Sequence, residues 1–326
     1  MKTFTFSKPA DIKGAHAAFK ANATSQFIAG GTNLLDLMKK EIATPANIVD
    51  INQLTLKEIK SDSKGISIGA LALNSFVAEH ADVEKDYPLL SKALLAGASA
   101  QIRNMATVSG NMLQRTRCPY FYDVAMPCNK REPGTGCSAK DGLNRMSAIF
   151  GASENCVAVH PSDMCIALAA LDARVVVQTA DGKENSIPFT DFHRLPGNTP
   201  DRDNNLVKGS LITKITIPKN NFNTHFHYLK IRDRVSYAFA LVSVAVALDI
   251  ENGKIKVARI AAGGVAHKPW RLYEAEQFLI GKTAKEAAFK QAAIVAIKGA
   301  KPLQHNAFKI KLLQNGLELA LKNAIA

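Results

Sequence analysis

"SQFIAGGTNLLDLMKK", residues 25–40, decides how this chain begins to fold. An apolar run of strand character leads into two glycines and then into a segment of helical period. Gly30 and Gly31 accept positive φ, so successive backbone N–H groups can turn inward there. Such a concavity at a helix N-terminus suits a pyrophosphate. A tight turn holding no ligand has the same sequence signature, so this stretch predicts the local fold and leaves the ligand open.

Outward from that turn, "FTFSKPADIKGAHAAFKAN" reads as strand, turn and helix, and "NIVDI" as a further strand. Residues 1–57 therefore form a small β-α-β-α-β unit. The pattern then changes. "IKSDSKGISIGALAL" reads as a hairpin, and "YPLLSKALLAGASAQIRNMA" as one long helical segment. After a cysteine-containing loop come a strand, a turn, a helix, a strand and a hairpin up to residue 218. From 222 to 326 the segment "HFHYLKIRDRVSYAFALVSVAVALDIENGKIKVARI" gives alternating strands, with a turn at Asn252-Gly253, and amphipathic helices follow. The fold class is α+β, in three successive units.

Composition narrows the function. The 326 residues are 47% apolar and 21% charged, typical of a globular protein. No apolar run approaches the ~20 residues of a bilayer span. The N-terminal stretch lacks the apolar core and cleavage site of a signal peptide, so any export is expected to depend on a partner that carries the address. The net charge of +13 comes from dispersed lysines, densest in "KGAKPLQHNAFKIKLL". A nucleic-acid binder would concentrate basic and aromatic residues on one face. A solvated basic surface, or one that docks acidic protein partners, is the expectation.

Two further stretches resemble ligand loops. "IRNMATVSGNM" sets Thr107, Ser109 and Gly110 beside Asn111, and "HPSDMCIALAALDA" puts Asp163 just before a strongly helical run. An ordinary loop and an N-capping carboxylate are the plain alternatives. In this order the three stretches resemble the flavin-binding subunits of the xanthine dehydrogenase, or molybdenum hydroxylase, family. The resemblance covers nearly the whole chain.

That resemblance implies a two-subdomain FAD-binding domain of the vanillyl-alcohol-oxidase type (1–57 and 58–218). A C-terminal α+β domain of the CO dehydrogenase flavoprotein type (222–326) would follow. It implies that Phe27, Ile28, Ala29, Gly30, Gly31, Thr32, Asn33, Leu34 and Leu35 wrap the FAD diphosphate. Thr107 would donate a hydrogen bond to it, with Gly110 and Asn111 completing the loop. Asp163 would bind ribityl or adenosine hydroxyls, and Lys230 would approach the isoalloxazine or its phosphate. Asn33 stands where many relatives have Asp, a departure that leaves the backbone logic intact.

The loop at about 116–156 looks like an insertion relative to most of that family. It holds four of the five cysteines: Cys118, Cys128, Cys137 and Cys156, in the pattern C-x9-C-x8-C-x18-C. Four thiolates are the number a [4Fe–4S] cluster requires. Disulfides are disfavoured because cofactor assembly takes place in a reducing compartment. Zinc is the rival, with His160 able to replace a thiolate, although the close cysteine pairs of zinc knuckles are missing. Spacing alone leaves iron–sulfur and zinc open; the flavoprotein resemblance favours iron–sulfur. Cys165, inside a helical run, is expected to be a core thiol.

Within the family the chain is most similar to the [4Fe–4S]-containing flavoprotein subunit of heterotrimeric bacterial aldehyde oxidoreductases. The resemblance then implies an oxidoreductase subunit carrying FAD and [4Fe–4S]. Its partners would be a molybdenum-cofactor large subunit and a [2Fe–2S] small subunit, and FAD would pass electrons to an external acceptor. No catalytic acid–base pair is required of this chain, and neither nucleic acid nor membrane is an expected partner. The implied compartment is the periplasm, reached by co-export, with the cytoplasm as alternative. The alternatives in function are a subunit similar to 4-hydroxybenzoyl-CoA reductase and a zinc-stabilised, non-redox nucleotide-binding module.

Overall fold

The structure, a computed structural model, describes residues 1–326. Three sheets follow one another along the chain. β1 (Thr5–Ser7), β2 (Ser25–Ile28) and β3 (Asn47–Asp50) form a parallel sheet in the order β1-β3-β2. Parallel neighbours need crossovers, and the helices Ile12–Lys20 and Leu34–Lys39 supply them. Asp11 starts the first helix by accepting from the Gly14 N–H at 2.7 Å.

The second sheet is antiparallel. It contains β4 (Ile59–Asp62), β5 (Gly65–Gly69), β6 (Arg174–Gln178), β7 (Glu184–Pro188) and β8 (Leu211–Pro218), in the order β4-β5-β8-β6-β7. Residues 70–173, including the cysteine loop, are inserted between β5 and β6. β9 (His225–Ile231), β10 (Val242–Glu251), β11 (Lys254–Gly263) and β12 (Trp270–Arg271) make the third sheet, also antiparallel, in the order β12-β11-β10-β9. The β10–β11 hairpin turns at Asn252 and Gly253, both at positive φ (52° and 74°), as a tight two-residue connection demands.

One helix organises the middle of the molecule. Asp163–Ala170 is apolar on every face after its first residue, and all eight of its residues are buried. It packs against the helix Pro88–Ala96 on one side and against β10 and β11 on the other. β10 shows how the sequence permits this. Val242, Val244, Val246 and Leu248 point into the C-terminal core, under the helices Tyr273–Leu279, Glu286–Ala296 and Phe308–Asn323. Ala245 and Ala247 point the other way and join the core of the central helix. The period of two therefore separates large from small side chains, and the small face lets the helix approach. No helix is long and apolar enough to cross a membrane.

Two segments depart from their sequence patterns. The long helix expected over 87–106 is broken into Pro88–Ala96 and Ala100–Arg103. Gly97 turns extended, Ala98 takes φ +54°, and Ser99 caps the next helix by accepting from the Ile102 N–H at 3.3 Å. A Cβ at Gly97 would lie 3.3 Å from an Asp163 oxygen, so the break brings the chain to that carboxylate. The apolar run "VSYAFA" does not continue a strand either. Residues 232–241 leave the sheet between β9 and β10, with Tyr237 at φ +50°, and Tyr237 and Phe239 are exposed.

Candidate functional site

A single cavity of about 1280 Å³ runs between the first sheet, the inserted segment and the edge of the third sheet. That exceeds the usual space for a drug-sized ligand, up to about 1,000 Å³. The glycine turn forms one wall. Gly31 alone has positive φ (+69°), which corrects the expectation that both glycines would. Gly30 is required by proximity instead: a Cβ there would lie 1.9 Å from the Met105 carbonyl oxygen. The first ligand loop thus touches the second directly. The backbone N–H groups of Gly30, Gly31, Thr32 and Asn33 donate to no protein acceptor. Four such donors beside a cavity form a nest for an anion.

Thr107 caps the short helix Val108–Met112, its hydroxyl accepting from the Gly110 N–H at 3.2 Å. The hydroxyl hydrogen remains available to a ligand. Asn111 Oδ1 accepts from the Ser162 hydroxyl at 2.7 Å, tying this loop to the start of the central helix. Of the stretch Phe27–Leu35, all but Leu35 face the cavity, as do Thr107, Gly110, Asn111, Asp163 and Lys230. Leu35 packs back toward Gly31.

Asp163 and Lys230 meet each other. Lys230 Nζ donates to Asp163 Oδ2 at 2.7 Å and to the Ala96 carbonyl at 3.0 Å, and the Tyr228 hydroxyl donates to Asp163 Oδ1 at 2.7 Å. All three side chains are largely withdrawn from water, and burial, reinforced by the Asp163 charge, pushes the Tyr228 hydroxyl well above its ordinary value. A carboxylate has about four acceptor positions, so each oxygen keeps capacity for a ligand hydroxyl. Sequence reasoning missed Tyr228. Its signal was available, because Tyr228 and Lys230 are two apart in a strand and share a face.

The four loop cysteines come together beside this cavity. Cys128 and Cys137 pair as an isolated antiparallel bridge, and Gly134 (φ +91°) and Gly136 (φ +103°) make the turn between them. Asn129 holds that turn, its Oδ1 accepting from Gly134 N at 3.0 Å and Gly136 N at 2.9 Å. Its amide nitrogen donates to the Asn155 carbonyl at 3.2 Å, which sets Cys156 against the turn. All the cysteines are free thiols. Burial raises the Cys118 thiol, and Cys128 and Cys137 raise it further. Burial pushes Cys156 up to about 12, with Cys137 and Cys118 adding and Lys130 opposing. The thiols are thus within electrostatic reach of one another. Cys118 also lies on the cavity wall.

Cys165 stands apart, on the central helix, its thiol pushed to about 12 by burial. It lies near His160 and His193, their ligand atoms within 4.8 Å of one another. His160, which the zinc alternative enlisted, thus stands beside Cys165 and His193. His160 Nδ1 accepts from the Ser162 N–H at 3.3 Å, and its Nε2 is buried without a protein partner.

Comparison with known proteins matches this architecture. Residues 2–220 match the family described as FAD binding domain in molybdopterin dehydrogenase, and residues 226–324 match the CO dehydrogenase flavoprotein C-terminal domain. The chain belongs to the FAD-binding subunits of the molybdenum hydroxylase family. This family member is 46% identical to the aldehyde oxidoreductase FAD-binding subunit PaoB of Escherichia coli K12, over 100% of the chain and 99% of that protein. It is 27% identical to the glyceraldehyde dehydrogenase medium chain of Sulfolobus acidocaldarius, covering 89% of the chain and 85% of that protein. In fold it resembles the carbon monoxide dehydrogenase of Hydrogenophaga pseudoflava, with TM-score 0.77, 22% identity and 99% and 97% coverage. It likewise resembles the quinoline 2-oxidoreductase of Pseudomonas putida 86, with TM-score 0.76, 22% identity and full coverage of both chains.

Proposed function

We propose that this chain is the FAD- and [4Fe–4S]-carrying electron-transfer subunit of a molybdenum-cofactor aldehyde oxidoreductase. One observation carries the reading: four undonated amides, the Thr107 loop, Asp163 and a cysteine of the loop all converge on one cavity. Membership of the family makes the chain an oxidoreductase subunit with an FAD-binding domain.

FAD, when bound, supplies the redox chemistry; the protein binds it, orients it and sets its surroundings. The Gly30–Asn33 amides hold the diphosphate, and the Thr107 hydroxyl donates to it. Gly110 and Asn111 close the loop. Asp163 receives ribityl or adenosine hydroxyls on the positions left by Tyr228 and Lys230. Lys230 acts through Asp163, holding that buried carboxylate in place by its 2.7 Å hydrogen bond. Cys118, Cys128, Cys137 and Cys156 hold the cluster, whose corners need four thiolates. Four free thiols gathered in one loop support that ligand set, and the spacing lacks the close pairs of zinc knuckles.

The curated relatives are named as subunits and medium chains. We therefore extend the proposal to a heterotrimer with a molybdenum large subunit and a [2Fe–2S] small subunit, exported to the periplasm by a partner's signal. Electrons arrive from the small subunit and leave from FAD to an external acceptor. With the complex assembled, an aldehyde substrate should bleach the flavin bands, and an added acceptor should restore them. Bleaching of the iron–sulfur bands while the flavin stays oxidised would overturn this role.

A further inference from the structure

We infer that residues 232–241 are a strap across the mouth of the cavity, latched by two arginines of the inserted segment, and that FAD enters and leaves only when this latch parts. The inference rests on the FAD reading above and adds Arg145 and Asp233 to it as positioning residues.

The strap joins β9 to β10, and Asp233, Arg234, Tyr237 and Phe239 line the cavity. Tyr237, Phe239 and the facing Leu143 line it and are also exposed, which marks this side as the mouth. From Arg232 to Ala240 no backbone group pairs with another backbone group. The ladder resumes at Leu241, whose N–H donates to the Ile231 carbonyl at 2.8 Å. Tyr237 stands at φ +50°, a costly conformation for a bulky side chain. A segment without backbone pairing, carrying exposed apolar side chains, is of the kind that opens locally. Side chains alone hold it down.

Arg232 anchors the root of the strap, donating to the Ala96 carbonyl at 3.3 Å. The other two ties come from the inserted segment, one on either side of the Cys128–Cys137 turn. Arg145 donates to both oxygens of Asp233, Nη1 to Oδ2 and Nη2 to Oδ1, at 2.9 Å each. The Arg117 guanidinium lies over the Phe239 ring, 5.1 Å from its centroid. Both arginines line the cavity. The bidentate pair fixes orientation as well as position. At 48% and 56% exposure it is screened by salt and weak enough to break. Such a tie holds the strap without locking it.

The test measures both directions of FAD exchange on the purified full chain. Release is read as the rise of free-flavin fluorescence on dilution, and uptake as its quenching when FAD is added to flavin-free protein. Asp233→Asn removes the charge and keeps the shape. Release should quicken about two- to fivefold, the range of an exposed ion pair. A latch bars both directions, so uptake should quicken by the same factor and Kd should stay put. Salt should speed release from wild type and have little effect on Asp233→Asn. Arg145→Asp should release faster still, and combining it with Asp233→Arg should bring release back toward wild type. That recovery would not follow from disturbed packing. Should Arg145→Asp fail to fold, Phe239→Leu tests the second tie by the same two rates. Release unchanged in Asp233→Asn, or quickened while uptake is not, would overturn the inference. Wild-type chain that binds no FAD would instead overturn the reading beneath it.

Discussion

A side chain at Gly30 would place its Cβ 1.9 Å from the Met105 carbonyl and 3.1 Å from the Ala106 Cα. Backbone atoms cannot yield as a flexible side chain can, so Gly30→Ala must push the glycine turn away from the Thr107 loop. The four amides then lose their common focus. Purified Gly30→Ala protein is expected to hold well under half the flavin of wild type by absorbance, with the fold retained by circular dichroism. Full flavin occupancy would contradict this account of the turn. Much of this was legible in the sequence: two glycines between an apolar strand and a helical segment say that backbone must come close to something. Which glycine serves φ and which serves proximity was not legible, because the partner of Gly30 lies more than seventy residues away in the chain. The pairing of Lys230 with Asp163 escaped for the same reason.

Elements were legible where a pattern is local and hidden where neighbours override it. The strand–turn–helix opening, the β10–β11 hairpin and the C-terminal helices follow from periodicity and from Asn252-Gly253. The break at Gly97–Ser99 and the departure of 232–241 from the sheet have no signal in local periodicity. The joints between elements also hold three buried histidines: His160 before the central helix, His193 after the short helix Phe189–Phe192, and His267 between β11 and β12. His160 and His193 stack edge to face at 4.4 Å. Burial lowers His193 and His267 to about 4, and His160 well below its ordinary 6.5. Between pH 4 and 6.5 the unfolded chain therefore binds more protons than the folded one, so stability rises with pH across that window. The melting temperature should fall steadily as pH drops from 6.5 toward 4. Replacing His193 with Gln should flatten that slope in calorimetry; an unchanged slope would show that these joints do not govern the acid response.

Over the whole molecule the net charge of +13 suggests a uniformly solvated basic surface, and three lysines contradict that picture. Lys130, Lys230 and Lys309 are buried. Lys309, within the densest basic stretch, donates to the carbonyls of Met146, Ser147 and Gly264 at 2.8–3.0 Å. It thereby fastens the C-terminal helix to the end of the cysteine loop and to the exit of β11. Lysine is ordinarily exposed unless paired, so composition could not single these out. Lys130 and Lys309 join the cysteine loop to other parts of the fold, and Lys230 joins β9 to the start of the central helix. What the loop thiols hold decides the role of this subunit. Metal and flavin analysis of the purified wild-type chain tests this directly: about four irons and one FAD per chain are predicted, whereas one zinc and no iron would contradict it.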